Sequence, residues 1–107
     1  MKKDKEVTDV IFRKAKYGWS KGLVFALFPH ECETFDGKVN CYEHIGQHSS
    51  ADYKYCISVS QPVGEDEYSD LKKELESLGY NLRVVKRQNY DKFLESYHSV
   101  RGGLQNH

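Results

Sequence analysis

The chain of 107 residues is long enough for one domain with a single hydrophobic core and too short for two. Its 16 basic and 16 acidic residues cancel, whereas nucleic-acid-binding domains are as a rule basic. No apolar run reaches the roughly 18 residues of a membrane-spanning helix, and the start MKKDKEV has no apolar signal segment. The composition therefore predicts a soluble, cytoplasmic, single-domain protein that has no membrane partner.

Cysteine and aromatic content narrow the class of protein further. The three cysteines, Cys32, Cys41 and Cys56, are an odd number without a C-x-x-C pair, which disfavours a disulfide framework and suits a reducing compartment. Eight tyrosines, five phenylalanines and one tryptophan indicate that large rings supply much of the buried area. We therefore expect free thiols and a sheet-rich core.

The first predicted element is a strand in VTDVIFRK, which starts at Val7. Its residues alternate, with Val10 and Phe12 on one face. Ile11 and Arg13 then lie on the other face. This pattern predicts a strand with side chains packed on both sides.

A second strand is predicted in LVFALF at 23–28, which is apolar at every position and is therefore expected to be covered on both faces. Gly18 and Gly22 precede it, where a hairpin connection needs residues that tolerate positive φ. Strands one and two are expected to be antiparallel neighbours. Pro29 is expected to end the second strand.

Two further strands are predicted beyond a polar loop with an Asp-Gly turn at 36–37. VNCYEHI, from Val39, alternates so that Cys41 and His44 point to opposite faces. YKYCISVS has the cleanest alternation in the chain, with one face made of Tyr53, Tyr55, Ile57 and Val59. A fourth strand is therefore predicted from Tyr53.

The stretch EDEYSDLKKELESLGY changes from the period of a strand to that of a helix. Its apolar residues recur at spacings of three, four and three and are Tyr68, Leu71, Leu75 and Leu78. Acidic residues from Glu65 to Glu67 occupy the first turn, where the helix dipole favours negative charge, and Gly79 suits a C-terminal cap. The pattern predicts an amphipathic helix from Glu65 to Leu78, packed on one face of the sheet.

The rest of the chain predicts one more strand and a short helix. NLRVVKR at 81–87 contains β-branched residues and follows the amphipathic helix as a fifth strand. DKFLESYHSV, from Asp91, has apolar residues near helical spacing, and the residues beyond Arg101 are expected to fray. The predicted fold class is α+β, a small antiparallel sheet in the sequence order β-β-β-β-α-β. One domain is expected at 1–87 and a C-terminal extension at 88–107.

The densest run of reactive side chains is HIGQHSSADY at 44–53. We interpret it as a polar rim of the sheet, in which Gly46 permits an unusual backbone angle and Ser49 or Ser50 caps a short turn. Such a rim would position a surface for a partner protein or a small ligand. Its candidate binding residues are His44, Gln47, His48, Ser49, Asp52 and Tyr53.

Two chemical alternatives compete with that interpretation. Cys41, His44 and His48 spell C-x-x-H-x-x-x-H, and sulfur and imidazole are zinc ligands, but the strand sends Cys41 and His44 to opposite faces. Asp52 and Cys56 would complete a Cys-His-Asp arrangement for hydrolysis, but Cys56 would be buried in mid-strand. No nucleophile elbow, phosphate loop or dinucleotide fingerprint occurs. We therefore predict no metal site, no cofactor and no catalytic residues.

At the level of whole segments, the chain resembles a family of small uncharacterised bacterial proteins. The resemblance lies in DVIFRK, ALFP, HIGQHSSADY and EYSDLKKELESLGYNLRV, which together cover positions 9 to 87. That family has no assigned reaction, so the resemblance implies a compact α+β domain and no catalytic residues.

Two functions are favoured, and a small metal-binding or hydrolytic protein that uses Cys41, His44 and His48 is a further alternative. The first is a non-enzymatic binding or accessory module, because the chain has one compact core and no cofactor motif. The second is single-stranded nucleic-acid binding through basic terminal segments, since 1–21 has seven basic and three acidic residues and 80–107 has five and two. The candidate residues for this second function are Arg83, Lys86, Arg87, Tyr90 and Lys92.

Overall fold

The structure, a computed structural model, describes residues 7–16, 21–43 and 47–105, with the exception of the side chains of 47–48 and 101–105. The elements of these ranges, in chain order, are β1 (Thr8–Ala15), β2 (Val24–Cys32), β3 (Val39–Glu43), β4 (Gln47–Ala51), α1 (Tyr53–Ser58), β5 (Ser60–Pro62), α2 (Glu65–Ser77), β6 (Leu82–Val84) and α3 (Tyr90–Gln105).

The strands form one sheet in the order β4-β3-β2-β1-β5, and neighbours on this path are antiparallel. β6 is shorter than the strand predicted at 81–87 and pairs in parallel with β1, beside Thr8 to Val10. β5 pairs with β1 further along, from Arg13 to Ala15. The predicted α+β fold with an antiparallel sheet is confirmed, and β6 adds one parallel pairing to it.

The first face of the sheet packs against α2, as the helical spacing predicts. Phe12 and Tyr68 stack with ring centroids 4.4 Å apart, while Leu71 and Leu75 are buried. The buried residues of this first cluster are Val10, Phe12, Ala26, Phe28, Tyr42, Leu71 and Leu75. The predicted amphipathic helix is therefore confirmed along most of its apolar stripe.

Leu78 is the exception in that stripe, because its side chain is 56% exposed. Helix α2 ends at Ser77, so Leu78 occupies the C-cap position. The chain then turns at Gly79, whose φ of +105° belongs to the left-handed region and favours glycine. Leu78 therefore departs from the helical path before it can reach the sheet.

Helices α1 and α3 cover the second face of the sheet. Tyr53 and Ile57 of α1 and Phe93 of α3 pack against a second cluster of buried residues. That cluster consists of Ile11, Phe25, Leu27, Val39 and Cys41. Successive residues of β1, β2 and β3 thus alternate between two cores, which confirms the predicted alternation and the prediction that the second strand is covered on both faces.

The predicted fourth strand from Tyr53 is wrong, because YKYCIS forms helix α1 and strand β4 precedes it. The Asp52 side chain caps the helix by accepting a hydrogen bond from the Tyr55 backbone N–H at 3.1 Å. Tyr53, Cys56 and Ile57, spaced by three and then one, lie against the second cluster, whereas Tyr55 is exposed. The segment is short enough to fit both periods, and the Asp52 cap favours the helix.

Pro29 lies inside β2 and does not end it, contrary to the prediction. The pairing of β2 with β3 shifts register between Phe28 and Cys32, and such an irregularity tolerates a residue that has no N–H. Phe28 belongs to the first cluster, whereas His30 contacts Asp9 on the second face. Residues 28 and 30 of a regular strand share a face, so the irregularity turns His30 to the opposite side.

Helix α3 is longer than the predicted segment DKFLESYHSV, since it spans Tyr90–Gln105. It lies on the second face, where Ser96 Oγ accepts a hydrogen bond from the Cys32 backbone N–H at 2.8 Å. Like the other helices in the described ranges, α3 is not long and apolar enough to cross a membrane. The C-terminal segment thus contributes side chains to the core that the earlier strands form.

Candidate functional site

A cleft with a volume of about 340 Å³ opens between α3, the start of α1 and the loop that joins β2 to β3. The loop contributes Asp36, Gly37 and Lys38 to its wall. The start of α1 contributes the segment 52–54. The cleft therefore lies at a junction of three segments that are far apart in sequence.

One wall of the cleft is a row of aromatic rings on α3. Tyr90, Phe93 and Tyr97 follow each other at spacings of three and four, so they share one face of the helix. The ring centroids of Tyr90 and Phe93 are 6.1 Å apart and those of Phe93 and Tyr97 are 5.8 Å apart, with interplanar angles of 27° and 18°. Phe93 also packs on the second cluster, which fixes the middle of the row, whereas Tyr90 is 64% exposed.

The opposite wall approaches the rings through Gly37. Its φ of +88° favours glycine, and a Cβ built there would lie 3.5 Å from Phe93 Cζ and 4.0 Å from Tyr97 Cε1. The loop backbone is held by the Thr34 side chain, which accepts a hydrogen bond from the Lys38 backbone N–H at 3.0 Å. The loop backbone at Gly37 thus lies close against the ring row and closes one side of the cleft.

Charged side chains of both signs line the cleft. On the loop side Asp36 accepts a hydrogen bond from the Thr34 hydroxyl, which lowers the pKa of Asp36, and its carboxylate lies 3.9 Å from Lys38 Nζ. On the α1 side Asp52 is the helix cap and Lys54 is exposed. Two carboxylates and two ammonium groups leave the rim with no net charge. The rim therefore suits a ligand that carries both donors and acceptors.

The segment before α3 is fixed to the sheet and to α1 by three hydrogen bonds. The Gln88 backbone N–H donates to the Tyr53 hydroxyl at 2.9 Å, and Gln88 Nε2 donates to the Pro29 carbonyl at 2.9 Å. The Asn89 backbone N–H donates to His30 Nε2 at 2.7 Å. These bonds set the position of the first turn of α3 and hence of the ring row.

His30 is held in turn by Asp9. His30 Nδ1 lies 2.9 Å from Asp9 Oδ2, and the Asp9 side chain is only 7% exposed. Arg83 Nε donates to Asp9 Oδ1 at 2.6 Å, and Lys92 Nζ lies 3.4 Å from Oδ2. The Arg83 guanidinium lowers the pKa of Asp9, and burial lowers the pKa of His30 in spite of the opposing influence of Asp9.

The Asp9 and His30 pair resembles the acid and base of a hydrolase but cannot act as one in this arrangement. A catalytic histidine uses one ring nitrogen for the carboxylate and the other for the nucleophile. Here His30 Nε2 is occupied by the Asn89 backbone N–H. The pair therefore serves to join β1, β2, β6 and α3.

The candidate residues of HIGQHSSADY divide between two places. Gln47, His48 and Ser49 lie on β4, at one end of the sheet order, where the predicted turn proves to be a strand. Asp52 and Tyr53 line the cleft, and Asp52, not a serine, is the capping residue. His44 lies outside the described residues. Among the candidates whose side chains the structure describes, Asp52 and Tyr53 line the aromatic cleft and Ser49 does not.

The metal and hydrolysis hypotheses rest on Cys41, Cys56, His44 and His48. Cys41 is 4% exposed, and burial raises the pKa of its thiol to about 12, so the thiolate that nucleophilic catalysis needs is disfavoured. Burial likewise raises the pKa of Cys56. Across the ranges that the structure describes, no group of three metal-ligating side chains converges. His44 and the side chain of His48 lie outside those ranges, so the absence of a site at these histidines stays a prediction.

The nucleic-acid candidates also divide. Arg83 and Lys92 are engaged by Asp9, while Lys86 and Arg87 are exposed in the bend before α3. Tyr90 belongs to the aromatic cleft. Only part of the predicted basic surface is therefore available to a phosphate backbone without competition from Asp9.

A second cleft of similar volume lies beside β1, β5 and β6. Its walls are mostly apolar, and Arg13 is a partly buried charged residue among them. Arg13 Nε donates to Ser60 Oγ at 2.9 Å, and its Nη2 donates to the carbonyls of Ile57 at 3.1 Å and Ser60 at 2.8 Å. Arg13 thus joins the end of α1 to β5, which is a structural role.

Sequence patterns predict only part of this site. The spacing of Phe93, Leu94 and Tyr97 predicts an apolar stripe of a helix, and the same spacing is the signal that Tyr90 extends the stripe into a ring row. Asp36 and Gln88 carry no signal, because only the fold brings them beside the rings.

A comparison of the chain with protein-family models, curated proteins and solved structures finds no match. The resemblance to small uncharacterised bacterial proteins therefore stays a prediction. Fold and site define the chain as a small α+β protein with an aromatic cleft between its C-terminal helix and a β-hairpin loop.

Proposed function

We propose that the protein is a non-enzymatic binding module whose aromatic cleft takes a small ligand, or a group of a partner molecule, that carries a flat ring with polar substituents. The row formed by Tyr90, Phe93 and Tyr97 is the observation that carries this proposal. A ring stacked on this row would exchange water for aromatic surface, and such contacts contribute about 1 to 3 kcal/mol per ring.

The size and rim of the cleft support the same conclusion. A volume of about 340 Å³ lies at the lower end of the roughly 300 to 1,000 Å³ that small-molecule sites occupy, which fits one ring system with its substituents. Asp36 and Asp52 can accept hydrogen bonds from the ligand, and Lys38 and Lys54 can donate them. The ligand is thus expected to be polar at its edge and without a large net charge.

The state of the reactive groups supports a binding role over catalysis. His30 Nε2 is used by the Asn89 backbone N–H, and the buried Cys41 thiol has a raised pKa. Neither group is arranged to exchange a proton with a ligand in the cleft.

Binding of adenosine, tryptophan and p-nitrophenyl glucoside, three probes with flat rings and different polar substituents, tests the proposal. At least one should perturb the amide signals of α3 in a titration followed by nuclear magnetic resonance. Tyr90→Ala should weaken that binding at least about fivefold through loss of a stacking ring. Tyr55→Ala is the matched control, because both tyrosines are 64% exposed and Tyr55 lies outside the cleft. Equal loss in both variants, or no binding of any probe, would contradict the proposal.

Single-stranded nucleic acid is the second candidate ligand, favoured by one observation. Lys86 and Arg87 are exposed just before Tyr90, so a strand that stacks a base on the ring row would pass beside two cations. Binding of a labelled oligonucleotide should then fall steeply with salt and should be lost on changing Lys86 and Arg87 to Ala. Changing Lys72 and Lys73 on α2 to Ala serves as the control. Salt-independent binding would exclude this candidate.

A further inference from the structure

A histidine nitrogen holds the residue that caps the first turn of α3. Asn89 uses its side chain to cap α3, since its Oδ1 accepts a hydrogen bond from the Lys92 backbone N–H at 3.2 Å. Its own backbone N–H donates to His30 Nε2 at 2.7 Å. His30 therefore holds the capping residue of the helix that carries Tyr90 and Phe93.

The hydrogen-bond partners of His30 define its protonation state. A ring nitrogen accepts a hydrogen bond only when it carries no proton, so Nε2 is unprotonated while it accepts from Asn89. Nδ1 then carries the proton and donates to Asp9 at 2.9 Å. A second proton could add only at Nε2, where it would face the Asn89 N–H donor directly.

Burial opposes a second proton on His30, whereas the charges around it favour one on balance. Among the described residues, the charged groups that face it are Asp9 on β1, Arg83 on β6 and Lys92 on α3. The Asp9 carboxylate favours a proton on His30, and the two cations that it contacts oppose that proton more weakly. Burial outweighs the influence of Asp9 and lowers the pKa of His30 below its usual value of 6.5.

We propose that protonation of His30 at Nε2 breaks the contact with Asn89 and releases the first turn of α3, so that acidification opens the aromatic cleft. Tyr90 and Phe93 would then move away from the Gly37 loop, and the binding site would lose one wall. As a regulation of that site this inference rests on the proposed function, but the release of α3 can be measured without any ligand.

The expected size of the effect follows from proton linkage. With α3 in place His30 resists protonation, and with α3 released it is less buried and has a higher pKa. The ratio of attached to released α3 should therefore fall about tenfold for each pH unit below that higher pKa, until the attached form is protonated as well.

Amide hydrogen exchange of Asn89, Lys92 and Phe93 between pH 7 and pH 5, corrected for intrinsic exchange rates, tests the proposal. In the wild-type protein, the protection of these amides against exchange should fall about tenfold for each pH unit as the pH is lowered. His30→Gln provides a carbonyl acceptor in place of Nε2 that does not titrate, so protection should no longer depend on pH. His98→Gln, at an exposed position of α3, should behave as the wild type. Wild-type protection that does not change with pH, or an unchanged pH dependence in His30→Gln, would overturn the proposal.

Should His30→Gln fail to fold, the nitrogen chemical shifts of the His30 ring in the wild-type protein decide the matter. They should place a single proton on Nδ1 at pH 7, and Nε2 should gain its proton over the same pH range in which Asn89 loses protection. A proton on Nε2 at pH 7 would contradict the proposal. Probe binding at pH 7 together with pH-independent protection would remove this inference and leave the proposed function standing.

Discussion

The backbone of Gly37 faces the ring of Phe93 so closely that a Cβ on residue 37 would lie 3.5 Å from Phe93 Cζ, in ordinary van der Waals contact. Gly37 also has a φ of +88°, which costs other residues about 1 to 2 kcal/mol. One residue thus combines a backbone requirement with a place in the wall of the cleft, and the two can be separated by mutation.

Gly37→Ala should lower the free energy of unfolding by about 1 to 2 kcal/mol and should also shift the ring signals of Phe93. Gly22→Ala is the matched control, because Gly22 has a φ of +89° and its Cβ would meet no atom of a non-adjacent described residue within 4 Å. It should lose similar stability and leave Phe93 unchanged. Urea unfolding and aromatic proton shifts measure the two effects, and a Phe93 shift of equal size in both variants would contradict the described wall.

Leu75→Ala should destabilise the protein by about 2 to 5 kcal/mol, because Leu75 is fully buried under α2 in the first cluster. Leu78→Ala should cost less than about 0.5 kcal/mol, since Leu78 is 56% exposed. Chemical denaturation of both variants checks the direction in which α2 faces. A loss in Leu75→Ala as small as that in Leu78→Ala would place the first face in solvent.

Asp9→Asn should lower the free energy of unfolding at pH 7 by about 1 to 3 kcal/mol, because Asp9 accepts hydrogen bonds from charged partners in a nearly buried place. The pKa of Asp9 is lowered in the folded state, mainly by Arg83, so the unfolded chain binds a proton more readily. The stability that Asp9 contributes is therefore present above its usual pKa of 3.8 and is lost as the pH falls through the lower folded value.

The difference in the free energy of unfolding between wild type and Asp9→Asn should accordingly become smaller as the pH is lowered from 6 to 3. Asp70→Asn, at an exposed position of α2, provides the control and should differ little from wild type at any pH. If the difference in the free energy of unfolding between wild type and Asp9→Asn stays constant below pH 4, the charge of Asp9 is not what stabilises the fold.

Purified protein should contain well under one equivalent of zinc, and EDTA should leave its melting temperature unchanged. The reason is the predicted alternation of the strand, which sends Cys41 and His44 to opposite faces. Metal analysis and thermal unfolding with and without EDTA check this prediction. A stoichiometric metal that is lost in His44→Ala or His48→Ala would instead support a structural site, because folding would then depend on the metal.

Much of the architecture could be predicted because the core residues recur in the sequence at the period of a strand or of a helix. The alternation of Val10, Ile11 and Phe12 between two faces, and the spacing of Leu71 and Leu75 on α2, follow from strand and helix geometry alone. Helix α1 could not be assigned in this way, because six residues are too few to separate a period of 2 from one of 3.6.

The parts of the site that sequence could not provide depend on register and on long-range contacts. Asp9 and His30 are 21 positions apart and meet only because β2 shifts register beside Pro29. Gln88 reaches Tyr53 across 35 positions. No local pattern encodes such pairs, whereas the ring row on α3 is local and its spacing is visible in the sequence.

The aromatic cleft as a ligand site is tested most directly by nuclear Overhauser contacts between a bound ring probe and the rings of the protein. With whichever of the three probes binds, contacts are expected from the probe ring to the ring protons of Tyr90, Phe93 and Tyr97, and to the α protons of Gly37. The same probe with its contacts confined to β4 or to the cleft beside Arg13, and none to Phe93, would contradict the central claim.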